Sequence, residues 1–344
     1  MNPKGSAERA VTLKDLAARL GIHPSTVSRV LHSDSAQARG AASAETALRV
    51  RELARELGYS PDPQATSLRT RRTRMFGVIV PRLSDLVLAI MYEGIEEAAA
   101  EAGYSTFVMN SRDDPEEERR KTEIMLARRV DGLIIGDAHL DGNLLHDLTN
   151  RGVPFVLMNR RIEGYPSATC DDALGGRLAA SHLWEKGHRR VAVIAGEPYA
   201  STAVDRTAGF VDRWRELGGA ISEDAIVWSR FDTVGGRDAT EKILHACAPP
   251  PTALFAVNDF AAIGAIGTLR SHGLQVGRDM ALVGYNDTSL ASQLPIPLSS
   301  VHSPMNEIGR TAVQLLRRVL KGEHVQAVQL RPTLCVRESS ALQL

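Results

Sequence analysis

Cysteine is scarce in this chain of 344 residues: Cys170, Cys247 and Cys335 are the three present. They lie too far apart for a disulfide framework or a zinc motif. No run approaches the roughly 18 consecutive apolar residues that a membrane span needs. The opening residues, Met1-Asn2-Pro3-Lys4-Gly5, hold no apolar stretch, which argues against a secretory signal. There is no G-x-G-x-x-G after a strand, no P-loop and no metal-ligand cluster. Cys170 and the scattered histidines make no nucleophile–base pair that sequence reveals. We therefore expect a cytoplasmic protein with no catalytic residues, no metal, no cofactor and no membrane partner. What remains is the composition of a globular protein: 43% apolar and 24% charged residues exclude global disorder. The length allows two or three domains of about 100–200 residues each.

Neither sign of charge dominates, since 41 Lys+Arg balance 41 Asp+Glu, but the two signs segregate. Residues 1–74 hold 13 basic and 7 acidic side chains, and the remainder 28 and 34. A basic head on an acidic body implies that only the head meets a polyanion. On charge alone an accidental excess explains it equally well, so the local sequence must decide.

The head, residues 1–60, reads as three short helices. Thr12 can cap the first, with Asp15 as its reciprocal partner. Leu13, Leu16, Ala17 and Leu20 then make an apolar face, and Gly21 supplies the stop. Pro24 suits the first position of a second helix, whose buried stripe is Val27, Val30 and Leu31. Two helices joined by so tight a turn form a helix-turn-helix. The second helix exposes Ser25, Thr26, Ser28 and Arg29, short hydrogen-bonding groups and one fork of donors that can enter a major groove. The other reading is a hairpin whose polar face meets only water. After an irregular loop over His32–Ala42, Ser43 caps a third helix with Ala47, Val50, Ala54 and Leu57 inward and Gly58 at its end.

Residues 61–74 read as a stalk. Asp62 and Pro63 encode a helix start, but barely two turns are available, and a helix that short is marginal in water. A conditional helix is expected, followed by a basic connection, Thr70-Arg71-Arg72-Thr73-Arg74. From Met75 the texture changes. Apolar runs at Phe76–Val80, Ser105–Met109, Gly132–Ile135 and Pro154–Met158 alternate with helical stretches such as Ala89–Ala102. After Asp171 the alternation restarts with Val191–Ala195, Ala253–Val257 and Ala281–Gly284. Such alternation specifies parallel sheets with helices on both faces, in two lobes with a cleft at the strands' carboxyl ends.

These residues resemble one family, the LacI/GalR-type transcriptional regulators. The resemblance runs through Val11-Thr12-Leu13-Lys14-Asp15-Leu16-Ala17, Gly21, Ser25-Thr26-Val27-Ser28-Arg29-Val30-Leu31, Glu45-Thr46, Leu57-Gly58-Tyr59 and Ser67-Leu68-Arg69. In the body it continues through Gly187-His188-Arg189, Asp205–Phe210, Asn258-Asp259 and Val283–Asp287, so that it spans roughly residues 11–338. It implies an α/β protein: an all-α helix-turn-helix head, a hinge helix, and a two-lobed, periplasmic-binding-protein-like body over 75–344. Lobe 1 would take about 75–172 and 304–331, and lobe 2 about 173–303 and 332–344. The implied function is a repressor that grips a pseudo-palindromic double-stranded operator as a homodimer. A small ligand in the cleft, a sugar or sugar derivative, would control it.

The resemblance also implies roles for individual residues. Thr12, Ser25, Thr26, Ser28, Arg29, His32, Tyr59, Ala65, Leu68 and Arg69 would meet DNA. Leu68 would be a wedge in the minor groove, a step that costs about a few kcal/mol of unstacking. Pro24 has no amide to donate, so base reading leans on Ser25 and Arg29, and His32 stands where an Asn is common. Val87, Leu88, Asn159, Asp171, Ser201, Thr202, Arg206, Phe231, Asp259 and Ser303 would surround the effector. Val87 and Leu88 are aliphatic where many members place rings. Arg206 opposite Asp259 would suit a polyhydroxylated ligand, and Phe231 would cover an apolar face of it.

Two other classes compete. A periplasmic solute-binding protein explains the body but requires a signal peptide and no DNA-binding head. An enzyme requires a site that the motifs do not supply, and Gly264-Ala265-Ile266-Gly267 falls in an expected helix rather than a phosphate loop.

Overall fold

The computed structural model describes residues 11–32, 42–59, 72–140 and 142–341, with only the backbone of His32. The proposed hinge helix, with Ala65, Leu68 and Arg69, lies outside the described residues. The chain divides into two compact units, Met1–Thr73 and Arg74–Leu344.

The head consists of α1 (Leu13–Leu20), α2 (Pro24–His32) and α3 (Ala44–Glu56). Thr12 and Asp15 form a reciprocal capping box at the start of α1, and Gly21 ends it in the left-handed conformation. Ser43 caps α3 by accepting the Thr46 amide. Leu16, Ala17, Val27, Val30, Val50 and Ala54 are buried together, with Leu13, Leu20, Leu31, Ala47 and Leu57 half-buried around them. One small core thus fixes which face of α2 looks outward.

The body has two sheets. Lobe 1 orders its strands β11-β5-β4-β3-β1-β2, all parallel: β1 (Met75–Val80), β2 (Ser105–Asn110), β3 (Gly132–Ile135), β4 (Phe155–Met158), β5 (Ser167–Cys170) and β11 (Val328–Leu330). Its helices are α4 (Leu86–Glu101), α5 (Pro115–Ala127), α6 (Leu144–Asn150) and α11 (Met305–Val319). Lobe 2 orders its strands β12-β10-β9-β8-β6-β7: β6 (Val191–Ala195), β7 (Ile226–Trp228), β8 (Ala253–Ala256), β9 (Ala281–Asn286), β10 (Ser299–His302) and β12 (Thr333–Cys335). Only β12 runs antiparallel to its neighbour. The helices of lobe 2 are α7 (Asp172–Glu185), α8 (Ser201–Glu216), α9 (Thr233–Ala246), α10 (Asp259–Ser271) and the short α12 (Glu338–Ala341). The chain therefore crosses between lobes after β5, after β10 and after β11. Strands β5, β7 and β10–β12 carry too little apolar patterning to stand out in the sequence, whereas the more apolar strands β1–β4, β6, β8 and β9 stand where the sequence places them.

Glycine sets how closely the helices pack. On α4, a Cβ at Gly94 would stand 2.1 Å from the Asn306 carbonyl oxygen, and on α11 one at Gly309 would stand 2.0 Å from that of Met91. The pair α7 and α8 repeats this device with Gly176 and Gly209, and α9 and α10 with Gly236 and Gly264. Gly264 is thus explained by backbone contact with Thr233 on α9, not by a phosphate.

The lobes are tied along one flank. Arg161 of lobe 1 forms a two-pronged pair with Asp205 of α8, both bonds 2.8 Å. The Arg161 amide donates to Ser201 Oγ at 2.8 Å. Tyr199 of lobe 2 donates its hydroxyl to Asp113 Oδ2 at 3.0 Å and stacks on His139 with ring centroids 4.2 Å apart. Asp113 also receives both terminal nitrogens of Arg160, at 2.7 and 2.9 Å. Beneath this knot lies a buried acid pair. Burial, and then the nearby charge of Asp137, push Glu118 up from its ordinary 4.5 to about 9.

Two outcomes follow for stability. Gly94→Ala should lower unfolding free energy by about 1–3 kcal/mol, the usual cost of overpacking, read as a lower urea midpoint. Folded Glu118 keeps its proton above the pH at which the unfolded chain gives it up. Its contribution is full below about pH 4.5 and lost as pH climbs through about 9. The urea midpoint should fall over that window, and Glu118→Gln, which has no proton to lose, should flatten the fall.

Candidate functional site

On the head, α2 turns Val27 and Val30 into the core at 0% and 2% exposure. Ser25 and Arg29 are exposed, and Thr26 and Ser28 half-buried. His23 Nδ1 accepts the Ser25 amide at 3.2 Å and lies 2.8 Å from Ser25 Oγ, so the residue before the helix both caps it and orients its first polar side chain. The Arg29 guanidinium has no hydrogen bond or ion pair among the described residues. Thr12 is engaged in capping, its hydroxyl donating to Asp15 Oδ2 at 2.7 Å. Tyr59 packs half-buried against the head core. The side chains of His32, Ala65, Leu68 and Arg69 lie outside the described residues.

In the body a cavity of about 520 Å³ opens between the lobes, where carboxyl ends of strands and amino ends of helices meet. Val87, Leu88, Asn159, Thr202, Arg206 and Phe231 line it. The other four expected residues do not. Asp171 caps α7, accepting the Leu174 amide at 3.0 Å. Ser201 Oγ is occupied by the Arg161 amide across the lobes. Ser303 is buried at 1% exposure on the crossover into α11. Asp259 turns away from the cavity, accepting the Thr288 amide at 2.7 Å and the Ser300 hydroxyl at 2.6 Å. Burial pushes its carboxyl up to about 6.

The expected Arg206–Asp259 opposition is therefore corrected. The partner of Arg206 is Asp172, at 2.7 Å, and the guanidinium also donates to the Val257 carbonyl at 2.8 Å. Its carbon sits 3.8 Å from the centre of the Tyr285 ring. The reason is positional. Asp172, the first residue of α7, stands over the helix pair that carries Arg206. Asp259, the first residue of α10, points back toward β10.

Asn258 and Asn286, which the sequence reading passed over as sites, both line the cavity. Asn258 caps α10 and donates to the Phe231 carbonyl at 2.6 Å, which seats that ring against the cavity. Asn286 ends β9 at φ 95°, and its buried Oδ1 has no hydrogen-bond partner among the described residues. Asn159, Arg112 and Asp113 also adopt the left-handed region, at 66°, 64° and 60°. Such backbone costs of order 1–3 kcal/mol each and gathers where a site needs it. Asparagine directly after an apolar strand was the signal available in sequence. Arg82, Ser84, Asp85, Arg112, Asp113, Arg160, Glu197, Tyr199, Arg230, Asp232 and Thr233 complete the polar lining, and no pattern in the sequence marked them.

This arrangement suits binding more than bond-making. Among the described residues no three His, Cys, Asp or Glu side chains gather to hold a metal. Burial pushes the Cys170 thiol up to about 11, too high for a thiolate nucleophile near neutral pH. The cavity instead offers donors and acceptors on both walls, with aromatic surface from Tyr199, Phe231 and Phe260.

Comparison with known proteins agrees with both halves. Residues 12–62 match the family model described as bacterial regulatory proteins, lacI family, and residues 180–340 match that of a periplasmic binding protein-like domain. The chain is 32% identical to the HTH-type transcriptional repressor PurR of Klebsiella pneumoniae (strain 342), over 96% of its own length and 97% of that protein. The structure of the Lac repressor dimer bound to operator and the anti-inducer ONPF superposes with a TM-score of 0.86 at 28% identity, covering 96% of this chain and 99% of that one. A complex of the transcriptional regulator CelR with cellobiose superposes at 0.73 with 30% identity, covering 96% and 99%. Among the described residues no helix is long and apolar enough to cross a membrane. The relatives are transcriptional regulators rather than enzymes, and this chain belongs to the LacI family of bacterial regulatory proteins.

Proposed function

We propose that the protein is a cytoplasmic repressor. It binds a pseudo-palindromic operator as a homodimer and answers to a polyhydroxylated effector, a sugar or sugar derivative, held between its lobes. The observation that carries the ligand half is the cavity wall itself. Arg206 is fixed by Asp172 and Tyr285, Asn258 is fixed by its cap, and Asn286 offers a buried acceptor with no hydrogen-bond partner among the described residues. Hydroxyl groups both donate and accept, so they satisfy such a mixed wall where a purely apolar ligand would leave it unpaired. The cellobiose bound by CelR accords with that chemistry. The hinge reading of Asp62–Leu68 supplies the link: a segment too short to persist alone becomes ordered on DNA only when the two body units hold their copies close.

A direct test is a gel shift, at several salt concentrations, on the region upstream of the protein's own gene, beside a thermal-shift screen of sugars and nucleosides. A ligand present at 100 times its dissociation constant should add about 2.7 kcal/mol to stability. Turnover of a sugar with no DNA shift would overturn the reading.

Two substitutions separate the halves. Arg29→Ala should cost about 1–3 kcal/mol of operator affinity and relax preference at one base pair per half-site, measured by competition against variant duplexes. Unchanged discrimination would place the reading elsewhere. Asn286→Gly keeps the φ of 95° that glycine tolerates and removes the unpaired acceptor. It should leave the unfolding midpoint unchanged or higher while weakening effector binding by about 0.5–1.5 kcal/mol in calorimetry. Arg206→Ala is less clean, because it strands Asp172 in the core, where an unpaired charge costs about 3–5 kcal/mol.

A further inference from the structure

We infer that the effector carries an anionic group, a phosphate or carboxylate, and that Arg82 and Arg112 receive it; the inference rests on the reading of the cleft as the effector site. Five arginines line the cavity. Three are answered within the protein: Arg160 by Asp113, Arg206 by Asp172, and Arg230 by Asp232 at 3.4 Å. The guanidinium groups of Arg82 and Arg112 have no hydrogen bond or ion pair among the described residues.

These two cations spring from neighbouring backbone on one wall. Beyond the ends of β1 and β2 the pairing of the strands continues for one more bond, from the Arg112 amide to the Pro81 carbonyl at 2.9 Å. Both side chains are exposed at the mouth of the cavity. The acid next in sequence is withheld from Arg112 by the backbone. Consecutive left-handed residues at 112 and 113 send the Asp113 carboxylate inward to Arg160, His139 and Tyr199. Asp85, on the same wall, is raised in pKa by burial, which outweighs the Val87 amide at 3.0 Å and the attraction of Arg206, Arg160 and, after them, Arg82, so it is a weak counter-charge to Arg82. Glu197, on the far wall, is attracted chiefly by Arg230 and Arg160 among the cations. Two cations carried on adjacent backbone, neither ion-paired among the described residues, repel each other when they converge. Brought together on one anion, their planar forks match the oxygens of a phosphate or carboxylate, which removes that repulsion as it binds. The hydroxylated remainder of the same ligand would reach inward to Arg206, Asn258 and Asn286.

The test uses the full chain and its Arg82→Gln, Arg112→Gln and doubly substituted variants. Both residues are exposed and unpaired, so the unfolding midpoints without additive should match wild type. Inorganic phosphate, with chloride at matched ionic strength as control, should raise the wild-type melting temperature and leave the double variant unmoved. Calorimetry with neutral hexoses, hexose phosphates and hexuronates then separates the two anion sources. One charged series should bind tightest, weaken 10- to 100-fold in the double variant, and weaken as salt rises. A neutral sugar that binds tightest, with its affinity unchanged in the double variant, would overturn the inference and leave the effector reading standing. Absence of binding by every probe to a folded wild type, together with a phosphate effect no greater than chloride's, would overturn the inference and the effector reading with it.

Discussion

The body depends on Asp113. Its carboxylate is gripped by Arg160 and His139 of its own lobe and by the hydroxyl of Tyr199 from the other. Against the cost of burial, the hydrogen bonds of His139 and Arg160 hold it well below the usual carboxylate range, so it stays charged at any pH the cell offers. One anion thereby fixes an arginine in the cavity wall and ties the lobes along one flank, while the mouth stays polar. Arg161 and Asp205 reinforce the same flank, but at 41% exposure for the arginine that pair contributes less than its geometry implies.

The rest of the body delivers residues to that flank. Parallel strands end on the cleft side, and the helices that follow begin there, so caps and cavity residues are often the same or adjacent positions. Asn258 caps α10 and seats Phe231, Asp85 caps α4 beside Val87 and Leu88, and Asp171 caps α7 one residue before the partner of Arg206. The glycine contacts between helix pairs let α7 and α8 approach closely enough for the Asp172–Arg206 pair to form away from solvent.

Much of this was legible in the sequence. Capping residues, apolar periodicity and strand–helix alternation located the head helices and the long strands, because each is a local signal. The helix-turn-helix was equally plain, since α2 needs only its own period to show which residues face out. The cavity was half legible. Val87, Leu88, Asn159, Thr202, Arg206 and Phe231 line it, while Asp171, Ser201, Asp259 and Ser303 serve structure around it. Asp259 shows why: residues 258 and 259 differ by one helical step, and which of them lines the cavity depends on the turn between β8 and α10. Asp113 and Arg160 were invisible because they are 47 residues apart, and only the fold brings them together.

If a ligand between the lobes and DNA at the reading helix act on one equilibrium, linkage requires each partner to change the other's affinity by the same factor. The deciding measurement is the effector's dissociation constant on the free protein and on the protein saturated with operator duplex, set beside the operator's with and without effector. Equal factors are expected, of about 5–150 in an allosteric protein of ordinary strength. An effector that binds free and operator-bound protein equally well would contradict coupling between the two sites.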